Sequence, residues 1–574
     1  MRHAWVVFAV AIVVFLPTFG VPFLDWDDTY YVTQSLRTHR PGLDGFLQLW
    51  SMSDVLEGRF FEFFPLRDSV LWLVWHTFGQ VAWAFHAVSM LGHAISSVLV
   101  LKLGRRLHLS AAAALGGALL FALHPSHVES VSWIASIKDP MFAAFTLGSV
   151  LLFLRWRAEA KTWLYLASLA CLVAALLCKS IAICTPVLML VLDRRICRTS
   201  WRNAMLAVVA PAVIAAIGAL QTVMIGKLSN AVVPPHGGSW GAHYFLSAWA
   251  LVRFVQQALV PWGFSLQHCF RPPRGFDLRY LGLAALAVGV LGCAWLARRR
   301  YPKLIWVLGW FFGALLPVSN VFPTYAVMAD RYLYLPSVAS CLAIGWWVRG
   351  LGSKRAWWVL GGLAAIYGAI TVQRQLIWWH ESALWAEAVA DPACAEDDQT
   401  VTALAFLKDA TFQTTPRAQY DAFKKGVDHP AFASLLVNDR CTWLIQASIA
   451  AQSAQVRGDA IGLARRATTE CPERALGWAR LVSTAAGIDR PLAALAAQHA
   501  YRLAPTPANL WQLGQARLAA GDEGGVEQID EAVVTSPESL CVPFGRWAAA
   551  THHVDDARLQ RAVNSCAITS PGGR

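Results

Sequence analysis

The sequence predicts an all-α protein in two parts, a polytopic membrane region of about eleven helices followed by a soluble helical domain. Three observations predict this. Of 574 residues, 56% are hydrophobic and only 15% charged, with a mean hydropathy of +0.44, too apolar for one soluble globular chain of this size. Apolar stretches of roughly the ~17 to 25 residues needed to cross a bilayer, some shorter and broken by proline, recur as far as residue 372. Beyond residue 380 the composition turns to Ala, Arg, Asp and Gln in helix-length segments punctuated by Pro and Gly. The expected domains are therefore 1–380 and 381–574.

Taken in order, the apolar stretches are 4–24, 81–103, 111–123, 140–156, 163–178, 181–192, 204–224, 278–296, 304–318, 333–348 and 357–372. The first resembles a secretory signal, yet "VPFLDWDD" has no small-residue cleavage site, so it reads as a retained span. The 27 tryptophans and 27 prolines agree with a membrane chain, since Trp is favoured at headgroup level and Pro is tolerated in spans. The net charge of +12 falls in short clusters between apolar runs, as cytoplasmic anchoring charges do, and excludes nucleic acid as a partner.

Those clusters set the orientation. Arg2, Arg105 and Arg106, Arg155, Arg157 and Lys161, then Arg194, Arg195, Arg198 and Arg202, Arg298 to Arg300 with Lys303, and finally Arg349, Lys354 and Arg355 all face the cytoplasm if the N-terminus does. This requires "YFLSAWALVRFVQQALVPWGF" to be a re-entrant or interfacial helix. The loops "DWDD", "HPSHVESVSW" and "MADRYLYLP" and the whole C-terminal part then lie outside.

In that part Trp478 recurs as Trp511, "AAGID" at Ala485 recurs as "AAGDE" at Ala519, and Pro472, Pro505 and Pro537 keep the same period. A helical pair every ~34 residues is the tetratricopeptide signature, which leaves a concave groove. Five of the 12 cysteines, Cys394, Cys441, Cys471, Cys541 and Cys566, fall here. Outside the cytoplasm they can pair, with one left over; the alternative is small buried apolar residues between helices.

The outward-facing stretches "DWDD", "FPLRDS", "HPSHVESVSWIASIKD", "CKSIAICTP" and "SNVFPTYAVMADRYLYLPS" carry polar groups that spans do not need. In this order they resemble the transmembrane-and-tetratricopeptide protein O-mannosyltransferases and their bacterial relatives, members of the GT-C glycosyltransferase superfamily. The resemblance implies a GT-C membrane fold and a sugar taken from a polyprenyl-phosphate carrier. It also implies an acceptor hydroxyl, on protein, at the outer face, with no cofactor or metal ion. Transfer to a cell-envelope glycan or lipid is the alternative acceptor chemistry, and a non-catalytic scaffold using its helical repeats is the rival class. The expected setting is a bacterial inner membrane with the C-terminal domain in the periplasm, where the repeats would recruit the acceptor.

By the same similarity Asp27 is the expected general base with Asp28 as its partner, either of which can hold the role, while Asp25 ends the first span. A carrier phosphate leaves readily once cations stabilise it, whereas an acceptor hydroxyl needs its proton removed. Arg331 is the expected bidentate grip on that phosphate, with Asp330 orienting it. Lys179, Lys138 and Arg67 are expected to add phosphate contacts. His124, His127 and Glu129 are expected to shape the sugar pocket by hydrogen bonding rather than to hold a metal ion. Trp26, Tyr30, Tyr31 and Trp133 are belt residues that can also stack on a sugar face.

Overall fold

The computed structural model describes residues 2–569 apart from 58–59, 61, 198, 229–232, 272–281, most of 283–303, 325, 398 and 552–555. The expected span 278–296, the cluster Arg298 to Arg300 with Lys303, and Arg198 lie outside the described residues. Among the described residues the protein is helical throughout and contains no strand. It divides into two compact units, Met1–Cys394 and Ala395–Arg574.

Among the described residues of the first unit, five helices are long and apolar enough to cross a membrane: Arg2–Gly20, Ala82–Arg106, Ile134–Glu159, Trp201–Leu228 and Lys354–Trp378. A sixth is formed if the pair Ala111–Ala122 and Pro125–Ser132, bent by 45°, counts as one. Thr162–Leu176, Ser180–Leu192, Leu304–Val318 and Ser337–Val348 are shorter apolar helices. The helix Trp240–Leu259 is not among the crossing helices. It buries Ala242, Leu246, Ala250, Phe254 and Ala258 on one face and exposes Trp240, Tyr244 and Leu259, the pattern of an amphipathic helix.

Small residues let the apolar helices approach. A Cβ at Gly117 would lie 2.9 Å from the Cys341 carbonyl oxygen, so only glycine permits this crossing of Ala111–Ala122 with Ser337–Val348. The bend after Ala122 has a local cause as well. Pro125 lacks an N–H and starts a 3-10 turn, which His124 caps by accepting from the Ser126 N–H at 3.3 Å.

Breaks of this kind place polar groups at helix ends. Lys138 and Asp139 open the helix Lys138–Glu159, with Pro140 in its first turn. Lys179 stands in extended backbone between Leu177 and the 3-10 turn Ser180–Cys184. Arg331 lies in the turn Asp330–Leu333, just ahead of Ser337–Val348.

The second unit is a run of helix pairs: Val437–Ser453 with Arg457–Glu470, Ala475–Ala485 with Arg490–Leu503, and Pro507–Ala519 with Gly525–Thr535. Proline marks helix starts here: Asp489 and Thr506 cap helices with Pro491 and Pro507 in their first positions, and of the recurring set Pro537 opens Pro537–Thr551. Trp478 stacks on His499 at 4.4 Å, and Trp511 packs edge-on to Trp547 at 5.8 Å. Alanines at 493, 496 and 497 form the floor between pairs.

Among the described residues three disulfides join Cys441 to Cys471, Cys541 to Cys566, and Cys269 to Cys394. The fifth C-terminal cysteine thus has a partner, Cys269, which the expectation of one left over did not foresee. Cys171, Cys178, Cys184, Cys197 and Cys341 are free.

Candidate active site

The loop after the first span brings three aspartates to different surroundings. Asp25 accepts from the Thr29 hydroxyl at 3.3 Å, and its own N–H meets Glu381 at 3.2 Å. Asp28 is fully buried and accepts from the backbone N–H of Leu24 at 3.0 Å and of Ala135 at 2.8 Å. Both its oxygens are committed, so it staples the loop to the segment that leads into Lys138. Asp27 is half-buried and has no hydrogen-bond partner among the described residues, yet the charges of Lys138, Glu62, Arg331 and Arg67 all act on it.

Burial raises the pKa of both carboxyls. For Asp27 burial and Glu62 push upward while Lys138, Arg331 and Arg67 pull down, and the net direction is up. For Asp28 burial outweighs the two backbone N–H groups and brings the value to about 7.

The cations converge on the same place. Lys138 Nζ donates to both oxygens of Glu62 at 3.1 and 3.0 Å, Arg67 donates to Glu62 at 2.7 Å and to Asp68 at 2.7 Å, and Tyr31 Oη donates to Glu62 at 2.8 Å. Burial opposes ionisation of Glu62, but Lys138 and Arg67 overcome it and hold its carboxyl below the usual range. Lys179 pairs with Asp139. Arg331 pairs through its guanidinium with Glu129, which also takes the Arg331 backbone N–H at 2.8 Å. That guanidinium lies 5.4 Å over the Trp133 ring, and Trp133 stacks on Trp26 at 4.6 Å. Each cation therefore has a carboxylate that fixes its position, and Asp27 is the carboxylate left without a bonded partner.

Several expected partners differ. Asp330 does not orient Arg331; it accepts from Gln257 at 3.2 Å, the Ser265 N–H at 3.0 Å and bonds His268 Nε2 at 2.8 Å. The two residues share a tight turn whose successive side chains point apart, and Glu129 takes the orienting role. His124 turns to the Ser126 hydroxyl at 2.8 Å and His127 to the Ser337 hydroxyl at 2.9 Å, both wholly buried. Those bonds hold the helix bend and the start of Ser337–Val348, while Glu129 is held by Arg331. Glu62 was missed: in "FFEFFPLRDS" it reads as a lone acid among belt aromatics, and its position five residues before Arg67 was its one sequence signal.

No protein-family model matches the chain, and no solved structure matches it. Curated relatives do. Protein O-mannosyl-transferase F38B6.6 of Caenorhabditis elegans is 24% identical over 369 residues, 60% of this chain and 50% of the relative. Protein O-mannosyl-transferase TMTC4 of Homo sapiens is 28% identical over 336 residues, 45% of this chain and 43% of the relative. Protein O-mannosyl-transferase Tmtc2 of Drosophila melanogaster is 37% identical over 111 residues, 18% of this chain and 12% of the relative. The chain thus spans half or less of the length of each relative it matches. By these matches the chain is similar to the animal protein O-mannosyl-transferases, those named TMTC among them.

Proposed function

We propose that the protein is a membrane glycosyltransferase that moves a sugar from a polyprenyl-phosphate carrier to a hydroxyl on protein, at the outer face of the membrane. The observation that carries this reading is Asp27, a carboxylate without a bonded partner facing a set of ion-paired cations. An acceptor O–H within its reach gives its proton to the Asp27 carboxylate, and the freed oxygen forms the new bond to the sugar's anomeric carbon. The bond from that carbon to the carrier phosphate breaks, and the phosphate leaves with the electron pair. Arg331, Lys138 and Lys179 are the groups that would meet its charge, with the guanidinium suited to a two-point grip. A raised pKa at Asp27 suits a base working near neutrality.

The outer-face assignment has support besides the Lys and Arg clusters. All six cysteines in disulfides, Cys269, Cys394, Cys441, Cys471, Cys541 and Cys566, fall in segments which that orientation puts outside the cytoplasm, where thiols are oxidised. The repeating helix pairs of the second unit favour reading it as a tetratricopeptide-like domain that receives a polypeptide acceptor. A bacterial inner membrane with this unit in the periplasm fits the same orientation.

The test is transfer by the full-length protein in nanodiscs, with polyprenyl-phosphate-mannose as donor and Ser/Thr-containing peptides or an envelope glycan as acceptor. Peptide-linked mannose supports the reading. Product on the glycan alone moves it to the alternative acceptor class, and no product with either makes the protein a scaffold.

A further inference from the structure

Ten residues past Asp27 the stretch "SLRTHR" forms the short helix Leu36–His39, and the proposed transfer uses none of it. Its Arg37 is nonetheless buried, with a side chain only 2% exposed, a costly place for a cation unless other groups hold it there. Nη2 donates to the Leu49 carbonyl at 2.6 Å. Nη1 lies 3.5 Å from Asp68 Oδ2 and Nε 3.7 Å from Asp54 Oδ2, close enough to pair but not to bond. Asp54 is taken by Arg40, which donates to its two oxygens at 2.7 and 2.9 Å. The carboxylate that Arg37 chiefly neutralises is therefore Asp68.

Asp68 meets a guanidinium with each oxygen: Oδ1 accepts from Arg67 Nε at 2.7 Å, and Oδ2 faces Arg37. Arg67 gives its Nη1 to Glu62 at 2.7 Å, and Glu62 takes Lys138 Nζ on both oxygens. Charges thus alternate from Arg37 through Asp68, Arg67 and Glu62 to Lys138, one of the cations proposed to meet the carrier phosphate. The Arg67 side chain is 1% exposed, so water screens this chain little. Without Arg37, Asp68 Oδ2 would keep a buried charge that Arg67, already bonded to the other oxygen, is placed to meet. Turning the guanidinium fork onto both oxygens of Asp68 is then favoured, which takes Nη1 from Glu62 and loosens Lys138.

The same helix steadies the other side of Glu62. Thr38 Oγ1 donates to the Tyr31 carbonyl at 2.6 Å and His39 Nε2 bonds the Val32 carbonyl at 2.7 Å, beside the phenol that donates to Glu62. We propose that Arg37 is a positioning residue: by neutralising Asp68 it leaves Arg67 to Glu62, and so holds Lys138 where the departing carrier phosphate needs it. This rests on the function proposed above and adds to that site a residue that touches no substrate.

The experiment is a double-mutant cycle in the full-length protein in nanodiscs, with polyprenyl-phosphate-mannose as donor. Arg37→Gln, whose amide can still donate to the Leu49 carbonyl, should lower kcat/KM by about 10- to 100-fold. Because Arg37 acts through Lys138, adding Arg37→Gln to Lys138→Gln should cost no more than about twofold further. Arg37→Gln with Asp68→Asn removes the unmatched charge while the amide oxygen can still accept from Arg67, so this pair should recover most of the activity; it also stands in for Arg37→Gln if that variant does not fold. Full additivity with Lys138→Gln, an unimpaired Arg37→Gln, or a pair with Asp68→Asn as weak as the single variant overturns the proposal. If the wild-type protein transfers from no donor, the glycosyltransferase reading fails and acylation of Lys138 by a lysine-reactive ester, read by mass spectrometry, decides the positioning role. Lys138 is 12% exposed and bonded to Glu62, so it should react slowly in the wild type and faster in Arg37→Gln. Equal rates overturn the role of Arg37.

Discussion

Exchanging each aspartate of the first loop for asparagine separates chemistry from architecture, because Asp27 and Asp28 differ in what their oxygens touch. Asp28 holds two backbone N–H groups, one per oxygen, at 3.0 and 2.8 Å. The amide of Asp28→Asn could accept only one of them and would turn an N–H toward the other, which costs about 1–3 kcal/mol for a buried unsatisfied pair. Asp27 has no bonded partner to lose. Asp27→Asn should therefore leave stability within about 0.5 kcal/mol while lowering single-turnover transfer by ~10²- to 10⁴-fold, the usual contribution of a general base. Asp28→Asn should do the reverse, melting earlier but transferring at a rate reduced much less.

The pH dependence carries a second signature. Burial raises the Asp28 value from 3.8 to about 7, so the folded state binds a proton that the unfolded state releases. The stability from that proton is complete below about pH 3.8 and is lost as pH rises toward 7; Asp28→Asn should flatten this slope. Transfer by the wild type should rise with pH as Asp27 ionises, at a pH above the ordinary aspartate range. The assay is quenched single-turnover transfer alongside thermal melts from pH 4 to pH 8. A variant at Asp28 that folds with wild-type stability yet transfers nothing, beside an active Asp27→Asn, would refute the reasoning.

Arg331→Lys keeps the charge but loses the guanidinium nitrogen that bonds Glu129 and the planar fork proposed to grip the donor, so donor use should weaken ten- to hundredfold, about 1.5–3 kcal/mol, read as kcat/KM in folded protein. Glu62→Gln should blunt the acid sensitivity of the fold: the wild-type carboxyl, held below its ordinary 4.5 by Lys138 and Arg67, contributes stability above that pH which falls away on acidification, and melts from pH 6 to pH 3 compare the two. Replacing Cys541 and Cys566 together by alanine should lower the stability of the second unit by about 2–4 kcal/mol, measured by denaturant unfolding with and without reductant. In intact cells a membrane-impermeant maleimide should label Cys471 only after external reduction; labelling that requires permeabilisation would reverse the orientation of every loop.

Much of this was legible in the chain because it is written locally. Apolar length marks the long helices, the period of Trp478 and Trp511 with Pro472, Pro505 and Pro537 marks the helical repeat, and "DWDD" marks an acidic loop. The division of labour within that loop was not legible, since it depends on the backbone N–H of Ala135, 107 residues away. Asp330 misled for the opposite reason: adjacency to Arg331 suggested a pair, whereas a tight turn sends neighbouring side chains to different partners. Glu62 was hidden because its value lies in two cations and a phenol brought in by separate segments, and the partner of Cys394 because it stands 125 residues earlier.

That last bond also bears on how the protein is made. Cys269 follows the helix Trp240–Leu259, and the same stretch supplies Ser265 and His268 to Asp330. A ribosome must emit a further 125 residues before Cys394 exists to close the ring. In the orientation proposed above, the nascent chain would during that interval hold a thiol at the oxidising side, with every later apolar helix inserted before it is consumed. A chain stalled or cleaved before residue 394 would keep that thiol exposed to oxidoreductases, giving quality control a chemical mark by which unfinished copies differ from completed ones.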